Sequence, residues 1–269
     1  MTDQPLALAF RDVSLSFAGV KALRGINLQI PQGSLCAIIG PNGAGKTSLF
    51  NCVSGTYQPQ QGQITLAGEE ITGGAPNEIA RRGVARMFQN LLLFEHMTVL
   101  DNLMLGRHQH YQTSVLSDLL WTPKMRREEI RHRAKVEEII EFLALERYRK
   151  HPISVLPYGV LKRVELGRAL AMEPSLLLLD EPAAGLNQEE TEDMARFILD
   201  IKEVLGITQV LIEHELRFVF DLADQVTVLD FGQKIAEGTP AEIQKSAAVA
   251  AAYMGEVIDE PSESEINHD

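Results

Sequence analysis

Cysteine is scarce: Cys36 and Cys52 are the only two in 269 residues, too few for a disulfide framework. One lies in an apolar run and the other in an adjoining helical segment, so both read as small core residues in a reducing compartment. No apolar stretch approaches the roughly 20 residues that a membrane span needs. The first residues, Met1-Thr2-Asp3-Gln4-Pro5, have neither the positive start nor the apolar core of a secretory signal. Positive charge is short as well. Lys and Arg number 25 against 37 Asp and Glu, a net charge of -12, which argues against a general nucleic-acid binder with its basic surface. Part of the excess sits at the end, where Glu256, Asp259, Glu260, Glu263, Glu265 and Asp269 meet no Lys or Arg, and residues 256–269 read as a solvated acidic tail. The remaining balance, 45% hydrophobic and 23% charged, is that of a globular chain able to bury a full core. The expectation is a cytosolic protein unless another molecule takes it to a membrane.

What is present begins with Gly40-Pro41-Asn42-Gly43-Ala44-Gly45-Lys46-Thr47, which fits G-x-x-x-x-G-K-[ST]. An apolar run, Leu35-Cys36-Ala37-Ile38-Ile39, precedes it, and Ser48-Leu49-Phe50-Asn51-Cys52-Val53 can continue as a helix. That is the strand–loop–helix setting the motif requires. Glycines let main-chain N–H groups approach a triphosphate without side chains in the way. The helix N-terminus adds unpaired N–H groups and partial positive charge. Lys46 is expected to reach the β- and γ-phosphates, Ser48 to belong to the same nucleotide-binding stretch, and the Thr47 hydroxyl to hold Mg²⁺.

Around this loop the pattern is α/β. Val13, Leu15 and Phe17 alternate with Ser14 and Ser16 as a strand does. Leu28 and Ile30 belong to a second strand closed by Pro31-Gln32-Gly33, and Gly62 and Gly68 bracket a third, residues 63–67. From about Val99 to Lys150 the chain turns helical. Val136, Ile139, Ile140 and Leu143 mark one buried helix face, and Trp121-Thr122-Pro123 reads as a break between helices. The charge run from Arg126 to Lys135 mixes Arg with Glu and reads as a solvated helix face. Leu176 to Leu179 is a fully buried strand, a helix follows from Gln188 to Leu205, and Thr208 to Ile212 is the next strand. Val226–Leu229 and Lys234–Ala236 read as a hairpin around Phe231-Gly232, and Pro240 opens a last helix.

Asp180 ends the leucine strand, where a metal-orienting carboxylate belongs, and Glu181 is placed to activate water. Two acids at a strand end are otherwise plain turn residues. Gln89, His214 and Phe17 are by themselves no more than a surface glutamine, a structural histidine and a strand aromatic. Their order with residues 40–47, 156–160 and 180–187 resembles the nucleotide-binding subunits of ABC transporters, from about Leu6 to Gly255. That resemblance implies an ABC-type P-loop NTPase with an N-terminal antiparallel β subdomain, a RecA-like α/β core and a helical subdomain inserted at about residues 90–172. It implies ATP and Mg²⁺ as ligands. Phe17 would stack on adenine, Gln89 would contact Mg²⁺ and sense the membrane subunit, and His214 would contact the γ-phosphate. Ala183-Ala184-Gly185-Leu186-Asn187 resembles the D-loop that crosses to a partner.

The finer resemblance is to the ATPase subunits of branched-chain amino acid importers. It rests on Arg86-Met87-Phe88-Gln89-Asn90, Met97-Thr98-Val99-Leu100-Asp101-Asn102-Leu103, residues 180–187 and Ile212-Glu213-His214. The ending Gly238-Thr239-Pro240-Ala241-Glu242-Ile243, followed by Tyr253-Met254-Gly255, belongs to it too. The wider family presents Leu-Ser-Gly-Gly-Gln to the γ-phosphate of the other subunit, whereas this chain has Leu156-Pro157-Tyr158-Gly159-Val160. Pro157 supplies neither a hydroxyl nor an N–H, and one lost hydrogen bond to a charged group costs about 1.5–3 kcal/mol, roughly 10- to 150-fold in rate. The resemblance implies a second ABC ATPase subunit as partner, a heterodimer ahead of a homodimer. It also implies two integral-membrane permeases, an extracytoplasmic solute-binding protein acting indirectly, and a position on the cytoplasmic face of the inner membrane. Other hydrophobic or aromatic carboxylates and amides stand as alternative solutes. A non-transport ABC ATPase and a binding-only module are the readings from other classes.

Overall fold

A computed structural model describes residues 5–111 and 123–254. The expected acidic tail, Trp121-Thr122 and Gly255 lie outside the described residues. The chain divides into two compact units, Met1–Gly74 with Val210–Asp269, and Ala75–Gln209.

The first unit opens with β1 (Leu6–Phe17), β2 (Val20–Pro31), β3 (Leu35–Ile39), α1 (Lys46–Val53), β4 (Gln61–Leu66) and β5 (Glu69–Glu70). Four of these strands form an antiparallel sheet ordered β2-β1-β4-β5. The period-2 pattern sets the register: Leu8 lies opposite Ile30 and Leu66, and Phe10 opposite Leu28 and Ile64, all buried. The register shifts between Phe10 and Val13, where Asp12 sits at φ 49. Asn27 serves this bulge on both sides, accepting from the Asp12 N–H at 3.1 Å and donating Nδ2 to its carboxylate at 2.7 Å. Val13 and Leu15 then resume the buried face.

The second unit contains α2 (Pro76–Arg81), β6 (Val84–Met87), α3 (Val99–Gly106), α4 (Pro123–Phe142), α5 (Tyr158–Leu170), β7 (Leu176–Asp180) and α6 (Gln188–Glu203). β6 and β7 pair in parallel, Val84 opposite Leu176 through Met87 opposite Leu179. Thr98 and Asp101 cap α3 reciprocally. Gly167 of α5 has Leu103, Leu143 and Ile139 around the position a Cβ would take. Of the expected apolar face on α4, Val136, Ile140 and Leu143 are fully buried and Ile139 half-buried.

The charge run on α4 is only partly as expected. Arg126, Arg127, Arg131, Arg133 and Lys135 face solvent, but Glu128 and His132, one turn apart, are buried. For His132 the reason is Arg107. It is itself buried, and donates Nε to His132 Nδ1 at 3.2 Å and Nη1 to the Ala171 carbonyl at 2.8 Å. Burial, then the Arg107 charge, lowers the His132 pKa, so the ring stays neutral and Nδ1 can accept. A polar residue on an inner helix face is kept there by a partner from another helix, which charge patterning alone does not show.

The chain returns to the first unit with β8 (Thr208–Ile212), α7 (Leu216–Leu222), β9 (Gln225–Asp230), β10 (Gln233–Gly238), α8 (Pro240–Ile243) and α9 (Ala247–Met254). The order β10-β9-β3-β8 places β3 centrally, with β9 parallel to it and β10 antiparallel to β9. Buried from every side, β3 can be apolar throughout. The helix expected from Pro240 ends at Ile243 and α9 follows as a separate helix. Among the described residues, no helix is long and apolar enough to cross a membrane. These parallel strands, helices and separate antiparallel sheet make the α/β architecture that the sequence leads one to expect.

Gly40, which ends β3, stands at φ 147, and a Cβ there would collide with the Leu229 carbonyl of β9. Gly33 also has positive φ, 73, but open space around it. Gly40→Ala is expected to lower the unfolding free energy by at least about 2 kcal/mol, against about 1 kcal/mol for Gly33→Ala, as measured by urea denaturation.

Candidate nucleotide site

The loop from Gly40 to Thr47 leaves β3 and enters α1 at Lys46. Gly45 occupies the N-cap at φ 103, no side chain caps the helix, and no acid stands in its first turn. The end of α1 therefore presents main-chain N–H groups and positive potential uncompensated by a carboxylate of its own. A Cβ on Gly45 would lie 2.6 Å from the Ala22 carbonyl, so only glycine fits. The β9–β10 hairpin braces the loop from within the same unit. Its Phe231-Gly232 turn has positive φ at both residues, the geometry of a tight hairpin turn. Gly232 donates its N–H to the Ala44 carbonyl at 3.0 Å and accepts from Arg24 at 2.8 Å. Lys46 is buried, its Nζ folded onto the carbonyls of Gly40 at 2.5 Å and Pro41 at 2.9 Å. An ammonium held by two carbonyls over an uncapped helix end is an arrangement that a phosphate group fits.

Asn42, Gly43 and Thr47 are exposed and Pro41 and Ser48 half-buried, while Ala44 is buried. Phe17 lies at the end of β1, 44% exposed, with the Tyr57 ring edge-on at 4.9 Å. His214 follows β8, exposed, its N–H donated to the Glu213 carboxylate at 3.1 Å.

In the second unit, β7 delivers Asp180 buried and Glu181 half-buried. Asp180 pairs with Arg86 of β6 at 2.5 Å, both side chains under a tenth exposed. The Arg86 guanidinium also stacks over the Phe88 ring at 4.8 Å. Gln89 Nε2 donates to the Glu181 carboxylate at 2.6 Å. Glu181 has φ 51, a strained backbone for a non-glycine residue. The hydroxyl of Thr47 and the carboxylate of Asp180 are hard oxygen donors of the kind Mg²⁺ takes.

Leu156-Pro157-Tyr158-Gly159-Val160 opens α5, with Pro157 at the N-cap and no side-chain cap. The Pro157 carbonyl accepts from Val160 at 3.0 Å and Leu161 at 3.1 Å. Pro157 and Tyr158 are exposed. A Cβ on Gly159 would strike the Glu190 carboxylate, and one on Gly185 would lie 3.1 Å from the Tyr158 ring. Residues 156–160 and 183–187 are thus packed on one another, and Asn187 caps α6 in a reciprocal bond with Glu190. Ala183 is buried, Ala184 and Leu186 are half-buried, and Gly185 and Asn187 exposed.

Sequence reasoning assigned no role to Arg86, Lys162, Glu165 or Arg168. The last three recur every third residue along α5 and meet the backbone of residues 88–92. Lys162, fully buried, donates to the carbonyls of Gln89 and Glu181, both at 3.2 Å. Arg168 Nη1 donates to the Leu92 carbonyl. Glu165 is 1% exposed and its pKa is pushed up to about 7 by desolvation. Arg168, Lys162 and the backbone of Leu92 and Phe88 pull the other way. Among the described residues neither Glu165 oxygen has a well-formed hydrogen-bond partner, so desolvation wins. The available signal was the spacing, which places three charges on one helix face otherwise flanked by apolar residues.

The sequence model of the ABC transporter family matches residues 23–184, and the chain belongs to that family as an ATP-binding cassette. Within it, the model described as "Branched-chain amino acid ATP-binding cassette transporter" matches residues 233–259. The chain is 40% identical over 244 residues to the high-affinity branched-chain amino acid transport ATP-binding protein BraF of Pseudomonas aeruginosa, covering 91% of this chain and 96% of that one. Against LivG of Escherichia coli, named for the same transport, identity is 38% over 253 residues, 94% of this chain and 99% of that one. Among solved structures, an ABC-transporter cassette in its ADP conformation superposes with a TM-score of 0.81 at 31% identity, covering 93% of this chain and 99% of that one. A nucleotide-free cassette gives 0.80 at 31%, covering 92% and 98%.

The raised Glu165 pKa carries a stability signature. The folded protein holds this proton more tightly than the unfolded chain, so stability falls as pH rises from 4.5 to about 7 and is level outside that window. Relative to Glu165→Gln, the wild type is expected to lose on the order of 2–3 kcal/mol between pH 4.5 and pH 8. Urea unfolding of both proteins across this range measures it.

Proposed function

We propose that this chain is the ATP-hydrolysing subunit of an importer for branched-chain or related hydrophobic amino acids. The observation that carries the solute class is the match of residues 233–259 to the branched-chain amino acid transporter model. BraF and LivG, similar along nearly their whole length, bear names that agree with it.

In this reading the stretch from Gly40 to Ser48 receives the triphosphate, with the main-chain N–H groups at the start of α1 turned to it. Lys46 exchanges the Gly40 and Pro41 carbonyls for phosphate oxygens, which are stronger acceptors for an ammonium. Phe17 stacks on the adenine. Thr47, Asp180 and Gln89 are the residues that would hold Mg²⁺, which would supply positive charge to offset that of the phosphates. Glu181 takes the proton of the attacking water, and His214 contacts the γ-phosphate. For Glu181 to do so, its carboxylate must turn from the Gln89 amide it accepts from in this structure. Residues 156–160 and 183–187 face the ATP of a second ATPase subunit. The pair works peripherally on the cytoplasmic side, beneath two permease subunits that an extracytoplasmic binding protein supplies.

Purified protein is expected to hydrolyse ATP with Mg²⁺, and Lys46→Ala to lose at least about 100-fold in turnover. Cells lacking the chain are expected to lose uptake of radiolabelled leucine, restored by the wild type and not by Glu181→Gln. Normal leucine uptake with loss of another apolar solute would overturn the solute class and leave the ATPase assignment standing.

Pro157 bears on the pairing. Without a hydroxyl at that position, the ATP site completed by this chain's residues 156–160 is expected to turn over more slowly than the site completed by the partner. Glu181→Gln here and the equivalent change in the partner, introduced one at a time, are expected to cause unequal losses of ATPase rate. Equal losses would exclude the asymmetry.

A further inference from the structure

We infer that Lys162 is a positioning residue for hydrolysis, tying the helix that begins at the signature to the backbone of both Gln89 and Glu181. The inference rests on the reading of Glu181 and Gln89 as hydrolytic residues.

The geometry is compact. Lys162 lies one turn into α5 from Tyr158, with its side chain wholly buried. Its Nζ reaches the carbonyl oxygens of Gln89 and Glu181, both at 3.2 Å, and lies 5.8 Å from the centre of the Tyr158 ring. These groups come from separate stretches of chain, 73 and 19 residues away from the lysine. An ammonium shared by two carbonyls ties together the chain just beyond β6 and the chain just beyond β7, since a hydrogen bond from a charged donor is directional as well as strong.

What Lys162 holds is the part of the site that is strained. Glu181 sits at φ 51, a conformation that costs a non-glycine residue free energy and persists only where surroundings enforce it. The backbone angle sets the direction of the Glu181 carboxylate, which in turn meets the Gln89 side chain at 2.6 Å. Lys162 therefore grips both members of that side-chain pair by their backbones. Further along the same helix face, Arg168 donates to the Leu92 carbonyl, so α5 carries the whole segment from Gln89 to Leu92. The Tyr158 ring, partly exposed at the helix start and packed against Gly185, links this grip to the surface formed by residues 156–160. A displacement of α5 by whatever docks there is passed by Lys162 to the backbone of Gln89 and Glu181.

The test uses the full chain. Lys162→Met removes the donor at similar volume, Lys162→Gln can serve one carbonyl, and Lys162→Arg keeps charge and donors. Lys162→Met is expected to lower kcat roughly 10- to 100-fold, with KM for ATP and affinity for trinitrophenyl-ATP within twofold of wild type. Lys162→Gln is expected to be intermediate and Lys162→Arg to recover most of the rate. Adding Lys162→Met to Glu181→Gln is expected to cause no further loss, since the lysine acts through that carboxylate. An unchanged kcat, a loss of affinity parallel to the loss of rate, additive losses in the double variant, or an arginine variant as slow as methionine would each overturn the inference. If Lys162→Met does not fold, the glutamine and arginine variants decide by the same criteria. If the wild type fails to hydrolyse ATP, or Glu181→Gln is as fast as wild type, the hydrolytic reading falls and amide hydrogen exchange decides the linkage. Faster exchange at residues 89–92 and at Glu181 and Ala183 in the glutamine variant, with β6 unaffected, supports it; unchanged exchange there overturns it.

Discussion

A helix end can offer its main-chain N–H groups to a ligand only where no side chain caps it, and that requirement governs the start of α1. α1 begins with no side-chain cap and no acid in its first turn, a helix end left unfinished. The walls around it are backbone: the carbonyls of Ala22 and Leu229 stand where Cβ atoms of Gly45 and Gly40 would be. Replacing side chains by close backbone demands that the neighbours be rigid. β3 is buried along its length, β9 pairs alongside it, and the hairpin turn at Phe231-Gly232 is bonded to Ala44 and Arg24.

The second unit solves a different problem, which is how to keep charge inside. Asp180 is paired with Arg86, Lys162 lies beneath two carbonyls, and His132 is held neutral against Arg107. A buried charge without partners is costly, so each of these contacts constrains register as much as it contributes stability. Glu165 is the exception, with burial outweighing its neighbours and a pKa of about 7. Lys162 and Arg168, on either side of Glu165, bond α5 to the backbone of Gln89 and Leu92.

Several elements were legible because their cause is local. The phosphate loop needs its glycines, lysine and threonine at fixed spacing, and β7 needs four leucines before Asp180. The Phe231-Gly232 hairpin follows from turn chemistry and flanking alternation. The differences are small ones: α6 ends at Glu203 rather than Leu205, and α9 follows the helix that Pro240 opens, because helix ends depend on tertiary contacts as well as on propensity. The α4 charge run was legible only on its outer face, since nothing in the order of its charges tells that His132 meets Arg107.

The sequence by itself determined the class of ligand, the α/β architecture and the family, because those follow from periodicity and short motifs whose atoms are neighbours in the chain. Only the tertiary structure decided what steadies the acids. Arg86 reaches Asp180 across 94 residues and Lys162 reaches Gln89 across 73. Those contacts exist because strands and helices distant in sequence are packed together, and the low dielectric between them makes each unpaired charge too costly to leave.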